Sequence, residues 1–266
     1  MTRDPPHFVP PTVTPKTSLP VTSLKVLTVN VHQGFAFLNR RFILPQLRDA
    51  VRAVAADVVF LQEVHGAQDR HAKRFANWPK APQYEFLADS LWSDFAYGRN
   101  AVYPHGHHGN ALLSKFAIVR QQNLDVSVAD AECRGLLHCV LQLPGRGELH
   151  AICVHLGLRD AERRRQLHLL AEFVRDLPAE APVVVAGDFN DWRQRASAIL
   201  SVRAGMTEVF EHATGSAARS FPAMLPMFRL DRIYVRNLSS RTPEVLSQRP
   251  WSRLSDHVAL AAQVSL

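Results

Sequence analysis

The chain has 266 residues, 47% hydrophobic and 21% charged, a globular composition with enough apolar material for one large core or two small ones. Its net charge of +7 and pI near 9.8 favour polyanionic partners, nucleic acid and anionic lipid headgroups alike. No apolar run approaches the length of a membrane span and no apolar signal core follows Arg3, so the reading is a cytoplasmic protein, with secretion and membrane anchoring disfavoured.

Residues 1–22 carry six of the 17 prolines without apolar periodicity and read as a disordered arm, leaving 23–266 as one domain. Residues 24–31 alternate like a strand, and residues 41–55 place Ile43, Leu44, Leu47, Ala50, Val51 and Val54 on one helical face. A strand follows at 58–61 and a helix is predicted at 67–77. Strand-like runs recur at 95–102, 111–114, 118–126, 136–143 and 149–155. The clearest amphipathic helix covers 161–177, with Arg163, Arg164 and Arg165 expected largely on its wet side. Further strands are predicted at 183–186, 230–235 and 257–262. The cysteines Cys133, Cys139 and Cys153 lie in strand-like segments without metal-site spacing and read as buried reduced thiols.

Polar groups follow several of these apolar runs directly. Asn30 follows Leu27-Thr28-Val29, Glu63 comes soon after Asp57-Val58-Val59-Phe60, and Gly187-Asp188-Phe189-Asn190 follows Val183-Val184-Val185-Ala186. Strands aimed at one edge gather such groups into a single cavity. Carboxylates converging beside a histidine need a cation, and oxygen donors from Glu63, Asp256 and the Asn30 amide suit Mg²⁺ or Mn²⁺ better than zinc. The chemistry implied is attack on a phosphate ester.

Seven short motifs then occur in order: Thr28-Val29-Asn30-Val31-His32, Leu61-Gln62-Glu63-Val64, Gly109-Asn110-Ala111-Leu112-Leu113-Ser114, Val154-His155-Leu156, Gly187-Asp188-Phe189-Asn190, Arg229-Leu230-Asp231-Arg232-Ile233-Tyr234 and Ser255-Asp256-His257. In this order they resemble the endonuclease/exonuclease/phosphatase superfamily over residues 24–266, and within it the small bacterial members of the type encoded beside a cardiolipin synthase in enterobacteria. The resemblance implies an α/β four-layer sandwich, two mixed β-sheets packed face to face with helices outside. It also implies a metal-dependent phosphodiesterase. By the same resemblance Glu63 is the main metal ligand, helped by Asn30 and Asp256. Asp188 orients or deprotonates the attacking water and Asn190 donates to the phosphate. His257, held by Asp231, contacts the phosphate or acts as general base, and His155 acts on the leaving-group side. Asp188 has a competing reading as a helix cap, because Asn190-Asp191-Trp192 looks like a helix start.

Two departures stand out. His32 occupies a position where many nucleases of the superfamily carry Asp or Gln, so it either binds phosphate or admits a borderline metal. The run His105-Gly106-His107-His108-Gly109-Asn110 reads as a loop whose His108 and Asn110 contact substrate, with an exposed loop or a transition-metal site as alternatives. The leading function is a nuclease acting on DNA or RNA, with Arg193 and its neighbours Arg40, Arg41, Arg99 and Arg195 near backbone phosphates. The alternative is a phosphodiesterase or phosphatase on phospholipid or inositol-phosphate headgroups, for which the apolar loop Ala223-Met224-Leu225-Pro226-Met227-Phe228 could dip into lipid. A non-catalytic binding protein on the same fold is disfavoured, since Glu63, Asp188 and His257 are all present.

Overall fold

The computed structural model describes residues 20–36, 41–129 and 131–266. The expected N-terminal arm lies outside them up to residue 19, as does Arg40. One six-stranded sheet contains β1 (Ser23–Asn30), β2 (Val58–Gln68), β3 (Asp94–Tyr103), β4 (Gly106–Ser114), β11 (Ser239–Leu246) and β12 (Ala259–Ser265), in the order β11-β12-β1-β2-β4-β3. The other contains β5 (Ala117–Asp125), β6 (Gly135–Leu143), β7 (Gly147–His155), β8 (Val183–Asp188), β9 (Thr207–Glu208) and β10 (Asp231–Arg236), in the order β5-β6-β7-β8-β10-β9.

Each sheet has one parallel pair among its antiparallel neighbours, and each pair is joined by a crossover helix as parallel strands require. α1 (Leu44–Val54) joins β1 to β2, and α4 (Asp160–Asp176) joins β7 to β8. The period-2 alternation of the strands sorts their side chains into three apolar layers. Val26, Phe60, Leu112 and Leu260 of the first sheet meet Leu141, Cys153, Val184 and Ile233 of the second. The outward residues Leu27, Val59 and Leu61 pack under Leu44, Leu47 and Val51 of α1, while Ile152, Val154 and Val185 pack under Leu167, Leu170 and Val174 of α4. Burying each such Leu or Val contributes about 1.5–3 kcal/mol. Strands covered on both faces must be apolar throughout, which is why 183–186 shows no alternation. The fold is therefore the α/β sandwich of two mixed sheets with helices outside.

Several local expectations change. β2 continues to Gln68 by pairing with β4, so only a short α2 (Asp69–Arg74) remains of the helix predicted at 67–77. The histidine-rich run at 105–110, expected as a loop, is strand from Gly106 onward. Gly109 permits this, because a Cβ there would sit 1.9 Å from the carbonyl oxygen of Gly98 on β3. Arg163 is buried on α4, donating to the carbonyls of Gly157 and Leu158 at 3.1 and 2.9 Å, and so fixes the β7–α4 turn where a solvated face was expected. Cys133 is exposed and precedes β6; Cys139 and Cys153 are buried free thiols. α3 (Gln83–Ala88), α6 (Val209–Thr214) and the polar edge strand β11 carry too little apolar periodicity to be predicted.

The capping role considered for Asp188 falls on Asp191, whose carboxylate accepts from the backbone N–H groups of Arg195 and Ala196 at 2.9 and 2.8 Å and starts α5 (Ala196–Ala204). Asp191 also lies 3.7 Å from the guanidinium of Arg232, a fully buried side chain with no hydrogen bond of its own among the described residues. Removing Asp191 loses a cap and takes the nearest carboxylate from a buried guanidinium. Asp191→Ala is therefore expected to lower unfolding free energy by about 3–5 kcal/mol in urea titration. A loss below about 1 kcal/mol, the size of a cap alone, would show that Asp191 does not compensate Arg232.

Candidate active site

The strand registers bring the motif residues together. His155 at the end of β7, Asp188 at the end of β8 and Asp231 at the start of β10 are direct cross-strand partners in the second sheet. Asn30 ends β1 in the first sheet. Glu63 reaches the same place because the β2–β4 register slips between Leu61 and Val64, a bulge that re-aims its side chain. The backbone there is left-handed, with φ of 58° at Glu63, and His32, Gln33 and Asn190 share that conformation. Non-glycine residues in this region cost of order 1–3 kcal/mol each and cluster where function holds them. A cavity of about 310 Å³ results, lined by Glu63, His108, His155, Asp188, Asn190, Asp256 and His257.

Asp188 is 1% exposed and sits at the centre of a hydrogen-bonded network. Its Oδ2 accepts from Asn30 Nδ2 at 3.2 Å and its Oδ1 from the Asn190 N–H at 2.9 Å. Asn30 Nδ2 also faces Glu63 Oε1 at 3.2 Å, while its Oδ1 accepts from the His32 N–H. The Asn190 side chain is turned to the Leu156 carbonyl, to which it donates at 3.0 Å. Burial pushes the Asp188 pKa up, against the pull of the neighbouring His257. For His257 burial works against the charge, yet the Asp231 and Asp188 carboxylates and the 2.7 Å hydrogen bond from Nδ1 to Asp231 Oδ2 outweigh it, so its pKa is raised. Ser255 Oγ ties the loop down by donating to the Asn30 carbonyl at 2.7 Å and accepting from the His257 N–H at 3.2 Å.

His155 is different. Arg134 Nη1 stands 3.3 Å from His155 Nδ1, and a guanidinium has protons but no lone pair to offer, so Nδ1 accepts. The single imidazole proton is thereby placed on Nε2, which points at Asp188 Oδ2, 3.5 Å away. Burial, then the charges of Arg134 and His257, hold the His155 pKa well below its usual value and keep the ring neutral.

Residues 27–257 match the Endonuclease/Exonuclease/phosphatase family. The chain belongs to that family. It is 58% identical over 241 residues, 90% of this chain and 95% of the relative, to "Uncharacterized protein YbhP" of Escherichia coli (strain K12), and equally to its namesake in Shigella flexneri. Among solved structures it resembles an endonuclease/exonuclease/phosphatase from Beutenbergia cavernae DSM 12333 (TM-score 0.73, 20% identity, 92% of this chain and 72% of that one). It also resembles D. rerio TDP2 complexed with single strand DNA product (TM-score 0.70, 18% identity, 92% and 99% covered). At these identities the structural likeness is one of fold.

The donor set suits the divalent ion on which this family typically depends. Four carboxylates, Glu63, Asp188, Asp231 and Asp256, gather in or beside one cavity, and Asp231 Oδ1 is buried without a hydrogen-bond partner among the described residues. Asp188, Asp231 and His257 each bring a possible ligand atom within 4.8 Å of the others. This group differs from the expected set of Asn30, Glu63 and Asp256. Within this group the 2.7 Å hydrogen bond from His257 Nδ1 already occupies Asp231 Oδ2, which leaves Asp231 Oδ1, the Asp188 carboxylate and His257 Nε2 as the remaining donor atoms.

Other expectations are redistributed. Asn110 does not reach the cavity; its amide is fully buried and donates to the Gly135 and Cys153 carbonyls at 2.9 and 3.3 Å, joining the two sheets where substrate contact was expected. His32 stands behind Asp256, with Nδ1 3.7 Å from Asp256 Oδ1, and does not line the cavity. Arg193 and Arg195 are exposed and share Asp160, at 3.5 and 3.2 Å. Gln33, Glu132 and Arg134 line the cavity without having been predicted. Glu132 accepts from His108 and Tyr103 and pairs with Arg134 at 2.8 Å. The hydrogen bond from His108, with the Arg134 charge, outweighs burial and lowers the Glu132 pKa to about 2. Arg134 stands just before β6, a strand-start position comparable to that of Asp231, and that placement was the available signal.

Two substitutions test these protonation states by ¹⁵N-detected NMR of the imidazole rings. Arg134→Met should release the His155 tautomer and raise its pKa towards the ordinary 6.5. Asp231→Asn should let His257 lose its proton at lower pH and cut turnover on the order of hundreds-fold or more. Unchanged His155 nitrogen shifts in the first variant would contradict the Arg134 assignment, and near-normal turnover in the second would contradict the Asp231–His257 pairing.

Proposed function

We propose that the protein is a phosphodiester hydrolase that acts on DNA or RNA with a divalent cation, Mg²⁺ or Mn²⁺. The observation that carries this reading is the convergence of Glu63, Asp188 and Asp256 with two differently protonated imidazoles in one cavity. Glu63 and Asp256 would hold the ion, with Asn30 steadying Glu63. When bound, it supplies positive charge to the phosphate oxygens.

The protein groups then divide the proton work. Asp188, its basicity raised by burial, receives the proton of the attacking water. His257 keeps its proton and donates from Nε2 to a phosphate oxygen, with Asp231 fixing the ring. His155, neutral and carrying its proton on Nε2, donates a hydrogen bond to the leaving oxygen without giving that proton up; the leaving oxygen is protonated from solvent water, and Asp188 returns its proton to solvent. Asn190, now donating to Leu156, can add a donor to the phosphate only by turning its amide.

Nucleic acid is favoured by the net charge of +7 and by Trp192, 42% exposed at the cavity and packed edge-on to Phe228 at 5.0 Å, which offers a base a stacking face. A relative in fold, D. rerio TDP2, was solved with a single strand DNA product. The second reading, phospholipid or inositol-phosphate headgroups, is supported by Met224, Leu225, Met227 and Phe228, which are 71, 67, 51 and 42% exposed. Such a loop could enter a bilayer surface.

Hydrolysis of single-stranded DNA, abasic duplex, RNA, phospholipid vesicles and inositol phosphates in Mg²⁺ and in Mn²⁺ decides between them. DNA or RNA is the expected substrate, and turnover confined to lipid or inositol phosphates would transfer the assignment. Glu63→Ala should weaken Mg²⁺ binding on the order of 100-fold by calorimetry and abolish hydrolysis. Equal affinities would remove Glu63 from the metal role.

A further inference from the structure

A second concave surface carries positive charge that the cavity does not use. Arg41, Arg249 and Arg253 line a groove of about 430 Å³ in which no carboxylate takes part among the described residues. All three are exposed, and none forms an ion pair among the described residues, unlike Arg193 and Arg195 with Asp160. Ile43 and Leu254 give the groove an apolar floor. Gln46 lines it at the start of α1, where no side chain caps the helix, so the helix dipole adds to the positive field.

Groove and cavity are built on the same two loops. The Ile43 N–H donates to the carbonyl of Gly34, the residue after Gln33 in the cavity wall. Arg253 ends a short 3₁₀ turn (Trp251–Arg253) and is followed within three residues by Asp256, so their Cα atoms lie within about 11 Å of each other at full extension. A polyanion whose phosphate occupies the cavity can therefore place a phosphate a few nucleotides along the chain in the groove.

We propose that Arg41, Arg249 and Arg253 bind the phosphate backbone of a nucleic-acid substrate a few nucleotides from the phosphate being hydrolysed. This rests on the nucleic-acid reading given above. A concave, acid-free groove with an apolar floor fits a narrow chain of phosphates and sugars, whereas a flat bilayer cannot enter it. The guanidinium forks suit phosphate oxygens, and the floor suits sugar carbons.

The test compares Asp188→Asn protein, which spares the strand, with the same protein carrying Arg41→Ala, Arg249→Ala and Arg253→Ala, by fluorescence anisotropy over a range of KCl. With a labelled single strand of about 12 nucleotides, the arginine variant should bind on the order of tenfold or more weakly. Its log K against log salt should be shallower by about 2, three contacts at about 0.7 each. A dinucleotide, too short to span both sites, should bind the two proteins alike. Should thermal melts show the combined variant destabilised, single Arg→Gln variants carry the same measurement. Tight binding of the long strand with the same affinity and slope in both proteins overturns the groove and leaves the nuclease reading standing. Failure of the Asp188→Asn protein to bind any single strand, with phosphatidylglycerol vesicles bound instead, overturns both.

Discussion

The hydrogen bond from Asn30 Nδ2 to Asp188 Oδ2, 3.2 Å long, crosses from the end of β1 in one sheet to the end of β8 in the other. It joins the two halves of the sandwich at the point where their charged groups meet. A buried carboxylate is costly unless its oxygens are fully engaged, and here each one is. Asn30 and the Asn190 backbone occupy them, with His155 and His257 at 3.5 and 3.8 Å. A shift of one sheet against the other would take the Asn30 donor away from Asp188 Oδ2 and leave that oxygen to the two imidazoles alone. The face-to-face packing of Val26, Phe60, Val184 and Ile233 is thus tied to the geometry of the site.

The same constraint explains the local irregularities. Regular strand continuation would leave Glu63 paired in the ladder, and the bulge in β2 with its left-handed residue turns it into the cavity instead. Gly187, at φ 150° and with Val154 O only 2.0 Å from where a Cβ would stand, lets β7 and β8 close up so that His155 and Asp188 become neighbours. The two imidazoles beside Asp188 differ in charge because their outer partners differ. Asp231 behind His257 favours the imidazolium against burial, whereas at His155 burial, and then Arg134 behind the ring, disfavours it. One carboxylate is thus flanked by a charged and a neutral N–H donor, two imidazoles told apart by environment rather than by residue type.

The strands that build the core were legible because burial on both faces demands unbroken apolar runs, as at 183–186, and the helices α1 and α4 because one-sided burial imposes a 3.6-residue repeat. Polar residues immediately after those runs pointed to one edge, and the structure gathers Glu63, His155, Asp188, Asp256 and His257 there. The rest depends on pairing that a local pattern does not encode. The histidine run at 105–110 looks like a loop until Gly109 is seen admitting β3 and β4 to close contact. Asn110 sits within a motif, yet its amide is needed by the carbonyls of Gly135 and Cys153 across the sheets. Arg163 has the composition of a solvated face and is buried because two turn carbonyls need a donor. Glu132 and Arg134 gain their place through Tyr103, His108 and His155, which come from other strands.

The proposed reaction uses a divalent cation in the cavity, and the location of that cation is the most direct check. Crystals grown with Mn²⁺ and measured at the manganese absorption edge should show one strong anomalous peak in the cavity, within coordination distance of Glu63 and Asp256, with His257 still hydrogen-bonded to Asp231. A peak ligated instead by His257 Nε2 with Asp188 and Asp231, or no peak in the cavity at saturating Mn²⁺, would contradict the division of labour between the metal-binding carboxylates and the proton-holding pair.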